Sequence, residues 1–255
     1  MKFILLLLFI LPIMANAVVR TELLPYKKNG QQMEGVVAFD DKITGPRPGI
    51  VVFPDWTGRG TYSERRAKEL AALGYVALAA DVYGRGQRAK DQDEAARLAK
   101  RYKSDRRLMR ERALGALEAL ARDRRVDPKK LGVIGYCFGG TVALELAREG
   151  APIRGAVSFH GGLDTPLETT GMYSKILVLH GASDPYVSAS DIKEFEKEMT
   201  DIKADWQMIS YGNAVHSFTN PDAGNDVKSG AAYNRVADER SWRAMKDFFE
   251  EVFHK

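Results

Sequence analysis

The sequence predicts an α/β protein with a mostly parallel central sheet and helices on both of its faces. Short apolar segments alternate with amphipathic segments along most of the chain, which is the pattern of strand–helix–strand units. The apolar segments after the first two have the appearance of strands buried on both faces. A chain of 255 residues has a normal size for one domain of this class. No linker and no internal repeat interrupts the pattern.

The first two predicted strands form an antiparallel hairpin, because residues 20–26 and 33–39 alternate in polarity around a Lys-Asn-Gly turn. Further strands are predicted at 49–53, 75–80, 130–134, 155–159, 175–179 and 206–211, and helices at 63–73, 92–122, 141–148, 189–200 and 231–253. Sites in this architecture lie at the carboxyl ends of the parallel strands. The loops 84–91 and 220–230 are predicted to contact a substrate.

The segment Gly-Tyr-Cys-Phe-Gly-Gly at 135–140 is the most informative part of the chain. It joins a predicted buried strand to a predicted helix, and a Gly-x-Cys-x-Gly turn in that setting describes a nucleophile elbow built around a thiol. Glycines are needed there because side chains beside the nucleophile would collide with the neighbouring strand or helix. The helix N-terminus below Cys137 favours the thiolate, which is the reactive form.

Most lone cysteines are inert core residues, so Cys137 predicts catalysis only if an acid and then a histidine follow it in the chain. Asp184 follows the predicted strand 175–179, in the loop where such an acid is expected. Of the four histidines, only His216 combines the correct order with a loop that follows a strand. His160 lies in a glycine-rich loop, and the other two lie at a strand end and in the C-terminal tail.

These motifs together resemble the dienelactone hydrolase family, a thiol branch of the α/β-hydrolases. Besides the elbow, the matching pieces are His-Gly-Ala-Ser-Asp-Pro at 180–185, Gly-Asn-Ala-Val-His-Ser-Phe at 212–218, Val-Phe-Pro-Asp-Trp-Thr-Gly at 52–58 and Ala-Asp-Val-Tyr-Gly at 80–84. The resemblance covers nearly the whole chain after the first 30 or so residues. It implies the α/β-hydrolase fold and a carboxylic ester hydrolase similar to carboxymethylenebutenolidase.

The resemblance also implies a role for each matching residue. Cys137 is the expected nucleophile, His216 the general base and later the acid, and Asp184 the residue that orients the imidazole. This set would attack an ester or lactone carbonyl and pass through a thioester.

Family members carry a glutamate in the loop after the third predicted strand, where it helps to generate the thiolate. Asp55 occupies that position here and is one methylene shorter. The backbone N–H groups of Trp56 and Phe138 are expected to form the oxyanion hole.

Dienelactone hydrolases bind the substrate carboxylate with two arginines, and this chain departs from that pattern. One arginine lies shortly after the catalytic histidine, where this chain has Asn220. The other belongs to the segment before the elbow, where Arg85, Arg88, Arg97 and Arg101 are all available. The resemblance therefore implies the reaction class and leaves open which small ester, lactone or thioester is the substrate.

The N-terminus predicts a secretory signal peptide at residues 1–17, followed by a single domain at 18–255. An initial lysine precedes the almost wholly apolar residues 3–12, and Ala17 ends an Ala-Asn-Ala cleavage site. The apolar segment is too short to span a bilayer comfortably, with an uncleaved membrane anchor as the alternative. We expect a periplasmic or secreted protein without stable membrane insertion after cleavage.

Composition narrows the remaining classes of function. The single cysteine excludes an intramolecular disulfide, even in an oxidising compartment. The chain has neither a histidine pair at helical spacing nor a cysteine cluster, so the sequence predicts no metal and no cofactor. We expect a monomer or weak dimer that acts on a small molecule and does not bind nucleic acid.

The formal net charge of +4 includes a basic run at 97–112. Such a run could attract anionic lipids, cell-wall polymers or anionic substrates. Acidic residues are interleaved with the basic ones, and this favours a solvated helix face.

The predicted function is an exported hydrolase that uses a Cys–His–Asp triad. An acyltransferase or a peptidase on the same residues is an alternative, which depends on whether water or another acceptor takes the acyl group. A catalytically degenerate binding module is another alternative, kept open by Asp55 and Asn220. The complete set of nucleophile, acid and histidine favours the enzyme.

Overall fold

A computed structural model of the chain describes residues 17–169 and 171–254, with one eight-stranded sheet at its centre. In chain order the strands are β1 (Val19–Lys28), β2 (Gln31–Asp40), β3 (Arg47–Phe53), β4 (Val76–Ala79), β5 (Val126–Tyr136), β6 (Gly155–Phe159), β7 (Lys175–Gly181) and β8 (Trp206–Tyr211). The helices are α1 (Thr61–Ala72), α2 (Gln92–Ser104), α3 (Arg106–Ala121), α4 (Phe138–Arg148), α5 (Ala189–Asp201) and α6 (Arg235–His254).

The strands lie in the order β1-β2-β4-β3-β5-β6-β7-β8. β1 and β2 form the predicted antiparallel hairpin, and β2 is antiparallel to β4. All later pairs are parallel. Parallel neighbours require long crossover connections, which the helices provide. The predicted fold class, an α/β-hydrolase fold with a mostly parallel sheet, is therefore confirmed.

Helices cover both faces of the sheet. On one face, which we call the α1–α6 face, side chains such as Leu70 and Phe249 pack on Ile50 and Val52 of β3. On the other, the α2–α5 face, helices α2, α3, α4 and α5 pack on the opposite side chains of the same strands. Burial of apolar side chains on both faces explains why the parallel strands are continuous apolar runs in the sequence.

The strand register places several polar residues at one level of the carboxyl edge. Tyr136 of β5 pairs with Phe159 of β6, which pairs in turn with Leu179 of β7. Cys137 and His160 are the next residues on the first two of these strands, and a histidine also follows on the third. Neighbouring parallel strands therefore deliver a thiol and two imidazoles to the same edge.

Two helical predictions need correction. The predicted helix 92–122 is two helices, because Asp105 ends α2 and its carboxylate accepts the N–H of Leu108 at 3.0 Å as the N-cap of α3. The last helix begins at Arg235 and not at 231. The residues before it are held by a parallel bridge between His216 and Ala231.

The basic run at 97–112 is not simply a solvated face, and this corrects the interpretation of the charge pattern. Arg106, Arg110 and Arg112 are buried. Arg106 pairs with Asp164 at 2.7 Å and Arg110 with Glu145 at 2.8 Å, while Arg112 donates to the last carbonyl of β1 at 3.0 Å. These three charges are used inside the protein and are not available to an anionic surface.

The predicted signal peptide lies outside the described residues, apart from Ala17. In the part of the chain that the structure does describe, no helix has both the length and the hydrophobicity that a bilayer crossing requires.

Candidate active site

Cys137 lies in a strained turn between β5 and α4. Its φ of 54° falls in the left-handed region, which non-glycine residues rarely adopt, and α4 begins at the next residue, Phe138. Its carbonyl accepts the N–H of Gly140 at 3.0 Å. The turn thus presents the thiol at the N-terminus of a helix, as the sequence predicts for a nucleophile elbow.

The glycines of the elbow are required by close backbone contacts. A Cβ atom on Gly135 would lie 1.8 Å from the carbonyl oxygen of Gly139, and one on Gly139 would lie 2.2 Å from the carbonyl oxygen of Phe53. Both contacts are with backbone, which cannot rotate away. The helix can approach the sheet this closely only because both positions lack a side chain.

His216 and Asp184 lie together at the carboxyl edge. His216 Nδ1 is 2.8 Å from a carboxylate oxygen of Asp184. The other oxygen of Asp184 accepts the N–H of Tyr186 at 2.9 Å, so the carboxylate is fixed. The loop of His216 is also fixed, because its backbone N–H donates to the carbonyl of Gly230 at 3.1 Å. The ring of Tyr186 meets the imidazole edge-on at a centroid distance of 5.2 Å.

Burial and two neighbouring side chains, Asp184 and Cys137, determine the pKa of His216. Burial by itself would lower this pKa, but interactions with the Asp184 carboxylate and the Cys137 thiol outweigh burial and raise it to about 10. His216 therefore carries a proton at neutral pH in the presence of both partners. The structure brings the three predicted residues, Cys137, His216 and Asp184, into one interacting group.

The loop after β3 holds Asp55 and Trp56. One oxygen of Asp55 accepts both the N–H and the hydroxyl of Thr57, at 2.8 and 2.6 Å. That oxygen is therefore engaged within its own loop and not with the thiol. Within residues 17–169 and 171–254, the backbone N–H groups of Trp56 and Phe138 donate no hydrogen bond to protein. Both remain free to bind a substrate oxygen.

Tyr83 belongs to a matching motif, but the sequence gives no role for it. Its hydroxyl donates to the carbonyl of Trp56 at 2.9 Å, and its ring packs against Phe138 at a centroid distance of 5.5 Å. Burial, followed by the charges of Cys137 and Asp55, raises the pKa of Tyr83 above its usual value. Tyr83 thus stays neutral and joins the two segments that carry the candidate oxyanion donors.

His160, which sequence reasoning set aside, contacts the elbow directly. Its Nδ1 lies 3.1 Å from the backbone nitrogen of Cys137, and its Nε2 lies 2.8 Å from the hydroxyl of Thr219. His160 is buried and has a positive φ of 41°. The signal that could have identified it is its place one residue after β6, level with Cys137.

Backbone strain is concentrated around these residues. Six described non-glycine residues have positive φ, and four of them, Cys137, His160, Asn213 and Ser217, lie in turns at the carboxyl edge of the sheet. Strain of this kind persists only where surrounding contacts over-determine the backbone, and it is typical of functional sites.

A cavity of about 190 Å³ is lined by Asp55, from the same loop as Trp56, the residue of one candidate oxyanion donor. Neither Cys137 nor His216 lines it. Arg88 and Asn220 do, together with the first residues of α1. The guanidinium of Arg88 packs on Gly60, the N-cap residue of α1. Both predicted substrate-contacting loops, 84–91 and 220–230, therefore reach this cavity.

A glycine-flanked turn that carries Cys137, beside a histidine–carboxylate pair at the carboxyl edge of a parallel sheet, is an arrangement typical of the α/β-hydrolase fold. The family model described as "Dienelactone hydrolase family" matches residues 33–253. The chain belongs to the dienelactone hydrolase family, as the resemblance of its motifs predicts.

Individual relatives agree with this family. An uncharacterised protein of Caenorhabditis elegans is 39% identical over 57% of this chain and 94% of its own length. A carboxymethylenebutenolidase of Pseudomonas putida is 31% identical over 76% of this chain and 84% of its own length. The crystal structure of a dienelactone hydrolase-like promiscuous phosphotriesterase from metagenomic libraries is 40% identical, covers 92% of this chain and 99% of its own, and gives a TM-score of 0.88. The chain is accordingly a hydrolase of the class that acts on esters and lactones.

Proposed function

We propose that this protein is an exported hydrolase of small esters, lactones or thioesters that works through Cys137, His216 and Asp184 and a thioester intermediate. The 2.8 Å contact between His216 Nδ1 and Asp184 carries the proposal. It fixes the imidazole through one nitrogen and leaves the other nitrogen available to the thiol.

In the first half of the reaction, the Cys137 thiolate attacks the carbonyl carbon and a carbon–sulfur bond forms. The N–H groups of Trp56 and Phe138 bind the oxyanion, and such donors are worth about 3–4 kcal/mol each in other enzymes. The carbon–oxygen bond to the alcohol then breaks, and His216 gives its proton to the leaving oxygen.

In the second half, water attacks the thioester while neutral His216 takes its proton. The carbon–sulfur bond breaks, the acid leaves, and the thiolate and the imidazolium are restored. The raised pKa of His216, about 10 in the presence of both partners, supports this resting state. Asp184 orients the ring through both halves.

Asp55 is proposed to help generate the thiolate, as the family resemblance implies. Its engagement with Thr57 means that the carboxylate has to reorient when substrate binds and accept the thiol proton, because a fixed negative charge would oppose the thiolate.

Arg88 is the arginine we propose for an anionic group of the substrate. The cavity beside the site includes Arg88, whereas Arg85 pairs with Glu34 at 3.4 Å and Arg97 with Glu94 at 3.2 Å. The carboxylates of Asp55 and Asp222 line the same cavity, so the anionic group has to lie on the Arg88 side of it.

The test is burst kinetics of the mature protein on p-nitrophenyl esters and lactones. Wild type should give a burst followed by turnover. The Cys137→Ala variant should give neither, since the chain has no other cysteine. A Lys246→Ala variant serves as a matched control, because no described contact joins this α6 residue to the site. Turnover that survives Cys137→Ala would overturn the proposal, and turnover that rises with added amine or alcohol acceptors would favour the acyltransferase.

No turnover combined with a thiol that reacts slowly with iodoacetamide would favour the binding module.

Export is proposed from the N-terminal segment, with cleavage after Ala17. N-terminal sequencing of the protein recovered from the periplasm or medium should begin at Val18.

Phosphotriester hydrolysis is a second candidate activity. The 40% identity to a dienelactone hydrolase-like promiscuous phosphotriesterase favours it. The same thiolate would attack phosphorus and expel the alcohol, and water would then cleave the phosphorus–sulfur bond. A p-nitrophenyl dialkyl phosphate added to the panel tests this, with loss of turnover in Cys137→Ala as the expected result.

A further inference from the structure

We propose that His160 is a positioning residue that holds the nucleophile turn, as a neutral ring with its proton on Nε2. The proposal rests on the proposed role of Cys137 as the nucleophile. The hydrolytic steps above make no use of His160, although it is 2% exposed and immediately follows β6, the strand beside the elbow strand.

The hydrogen bonds of His160 determine its tautomer. The backbone N–H of Cys137 points to Nδ1 at 3.1 Å, and a backbone N–H can only donate. Nδ1 therefore has to be unprotonated, and the ring proton lies on Nε2. Nε2 in turn is 2.8 Å from the hydroxyl oxygen of Thr219, which can accept a hydrogen bond from the Nε2–H group.

The partner of Nε2 is itself fixed. The Thr219 hydroxyl is 2.6 Å from the hydroxyl of Tyr62, and the Thr219 carbonyl accepts a guanidinium N–H of Arg66 at 2.9 Å. Arg66 pairs with Asp238 of α6. A chain of polar contacts thus runs from the C-terminal helix through α1 to the nucleophile.

The surroundings of His160 keep it neutral. Burial, followed by the neighbouring His216, lowers the pKa of His160 well below its usual value. The other titratable or charged groups that face the ring are Arg66 of α1, His180 of β7 and Tyr136 of β5. None of these groups is an anion, and a second positive charge beside His216, whose ring is 5.2 Å away, is disfavoured.

This contact acts on the strained residue. The N–H of Cys137 is shared between His160 Nδ1 and the carbonyl of Phe159, the latter at 3.0 Å. The carbonyl of Cys137 is held by Gly140. The peptide groups on both sides of the left-handed Cys137 are therefore fixed, and this orients both the thiol and the following N–H, the candidate oxyanion donor of Phe138.

The experiment compares three variants by the rate at which iodoacetamide alkylates Cys137 across pH. His160→Phe keeps a ring but loses both hydrogen bonds, and it should react about 10- to 100-fold more slowly, because a thiol displaced from His216 has a smaller thiolate fraction, about tenfold for each pKa unit. His160→Asn supplies an acceptor near Nδ1 and tolerates positive φ, so it should stay within about threefold of wild type.

His254→Asn is the control for loss of a histidine outside the site. His254 is exposed at the end of α6, so no bond to the elbow is lost. This variant should alkylate at the wild-type rate. On p-nitrophenyl esters, His160→Phe should lower kcat with little change in KM, and circular dichroism should verify that each variant is folded.

A readout on wild type removes the dependence on folding of the variants. Nitrogen-15 NMR of the imidazoles should assign the His160 proton to Nε2 and find the ring neutral at pH values where an ordinary imidazole is protonated. A proton on Nδ1, or a folded His160→Phe variant that alkylates at the wild-type rate, would overturn the proposal. Turnover that survives Cys137→Ala would instead overturn the proposed function, whatever the tautomer of His160.

Discussion

Arg148 and Arg66 are buried on opposite faces of the sheet, and different contacts hold the two guanidinium groups. On the α2–α5 face, Arg148 is fully buried and pairs with the carboxylates of Glu145 at 3.3 Å and Glu198 at 2.7 Å. On the α1–α6 face, Arg66 lies over three aromatic rings and has Asp238 as its closest carboxylate, at 2.5 Å. Two carboxylates lie beside each guanidinium group, since Glu69 is 2.9 Å from Arg66, but three π faces cover Arg66 whereas Arg148 has one, Phe195, at 5.9 Å.

The two clusters also differ in where they lead. Arg148 connects α4 to α5, and its remaining donor binds the carbonyl of Leu163 at 2.8 Å. Arg66 binds the carbonyl of Thr219, whose hydroxyl contacts His160 and through it Cys137. A buried charged group can thus hold two helices together by ion pairs. It can also support a reactive turn through the neutral side chains that lie between them, which add no charge at the turn.

The largest expected effect is on the unfolding free energy, when Arg148 is replaced. Arg148→Met leaves Glu198 without its cation and Glu145 with Arg110 alone, and removal of one partner of a buried pair costs about 3–5 kcal/mol of unfolding free energy. Urea denaturation should measure this loss, while kcat on a p-nitrophenyl ester stays near wild type. The exposed pair Arg235–Glu239 gives the control: Arg235→Ala should cost less than about 1 kcal/mol. A large fall in kcat in the folded Arg148→Met variant would contradict the view that this arginine acts on stability and not on the chemistry.

The second effect should appear in both stability and chemistry. Arg66→Met keeps apolar volume against the rings but loses the bonds to Asp238, to Glu69 and to the Thr219 carbonyl. We expect a loss of about 2–3 kcal/mol, since hydrogen bonds of charged groups contribute about that much. We also expect Cys137 alkylation to slow about 10-fold. An unchanged alkylation rate in the folded variant would show that Arg66, like Arg148, does not affect the reactivity of Cys137.

The third test concerns the positive charge of His216, at the carboxyl edge of the sheet. Because the pKa of His216 is raised to about 10 by its partners, its proton is present below that pH and is lost above it. The value of kcat/KM should therefore fall as pH rises through about 10, where no proton remains for the leaving alcohol. Asp184→Asn removes one of the raising contributions, so the fall should move to lower pH by at least about one unit, equivalent to about 1.4 kcal/mol. A pH profile of both proteins measures this, and an unmoved limb would argue against the assigned partner.

The smallest expected effect is that of one hydroxyl. Tyr62→Phe removes the group that is 2.6 Å from the Thr219 hydroxyl and leaves the ring stacked edge-on against Tyr136. The loss should be about 0.5–1.5 kcal/mol in thermal or urea unfolding. Alkylation should slow by no more than about threefold, since Thr219 retains Arg66. An effect as large as that of Arg66→Met would place the support of the turn in the hydroxyl and not in the arginine.

Sequence patterns predicted the sheet because the parallel strands are short, apolar and bounded by polar turns. The observed bounds of β6 and β8 equal the predicted ones, 155–159 and 206–211. The division between α2 and α3 was missed because amphipathic spacing continues across Asp105. The signal was present, since an aspartate that precedes a helical turn is a common N-cap.

The elbow, the acid and the histidine could be identified from chain order, because this fold fixes that order. The contacts of His160 could not, since its partners are a backbone N–H that is 23 residues away and a hydroxyl that is 59 residues away. The burial of Arg110 was missed for the same reason: its partner Glu145 lies 35 residues along the chain. Periodicity assigns a face to a residue, but long-range pairing decides whether a charge on that face is buried.

The positive φ angles at the carboxyl edge have a consequence for engineering. Ser217, directly after His216, has φ of 57°, and glycine adopts that conformation without strain. Ser217→Gly would relieve this strain, and it would also loosen the loop that holds the imidazole. We therefore expect this one substitution to raise thermal stability while it lowers turnover.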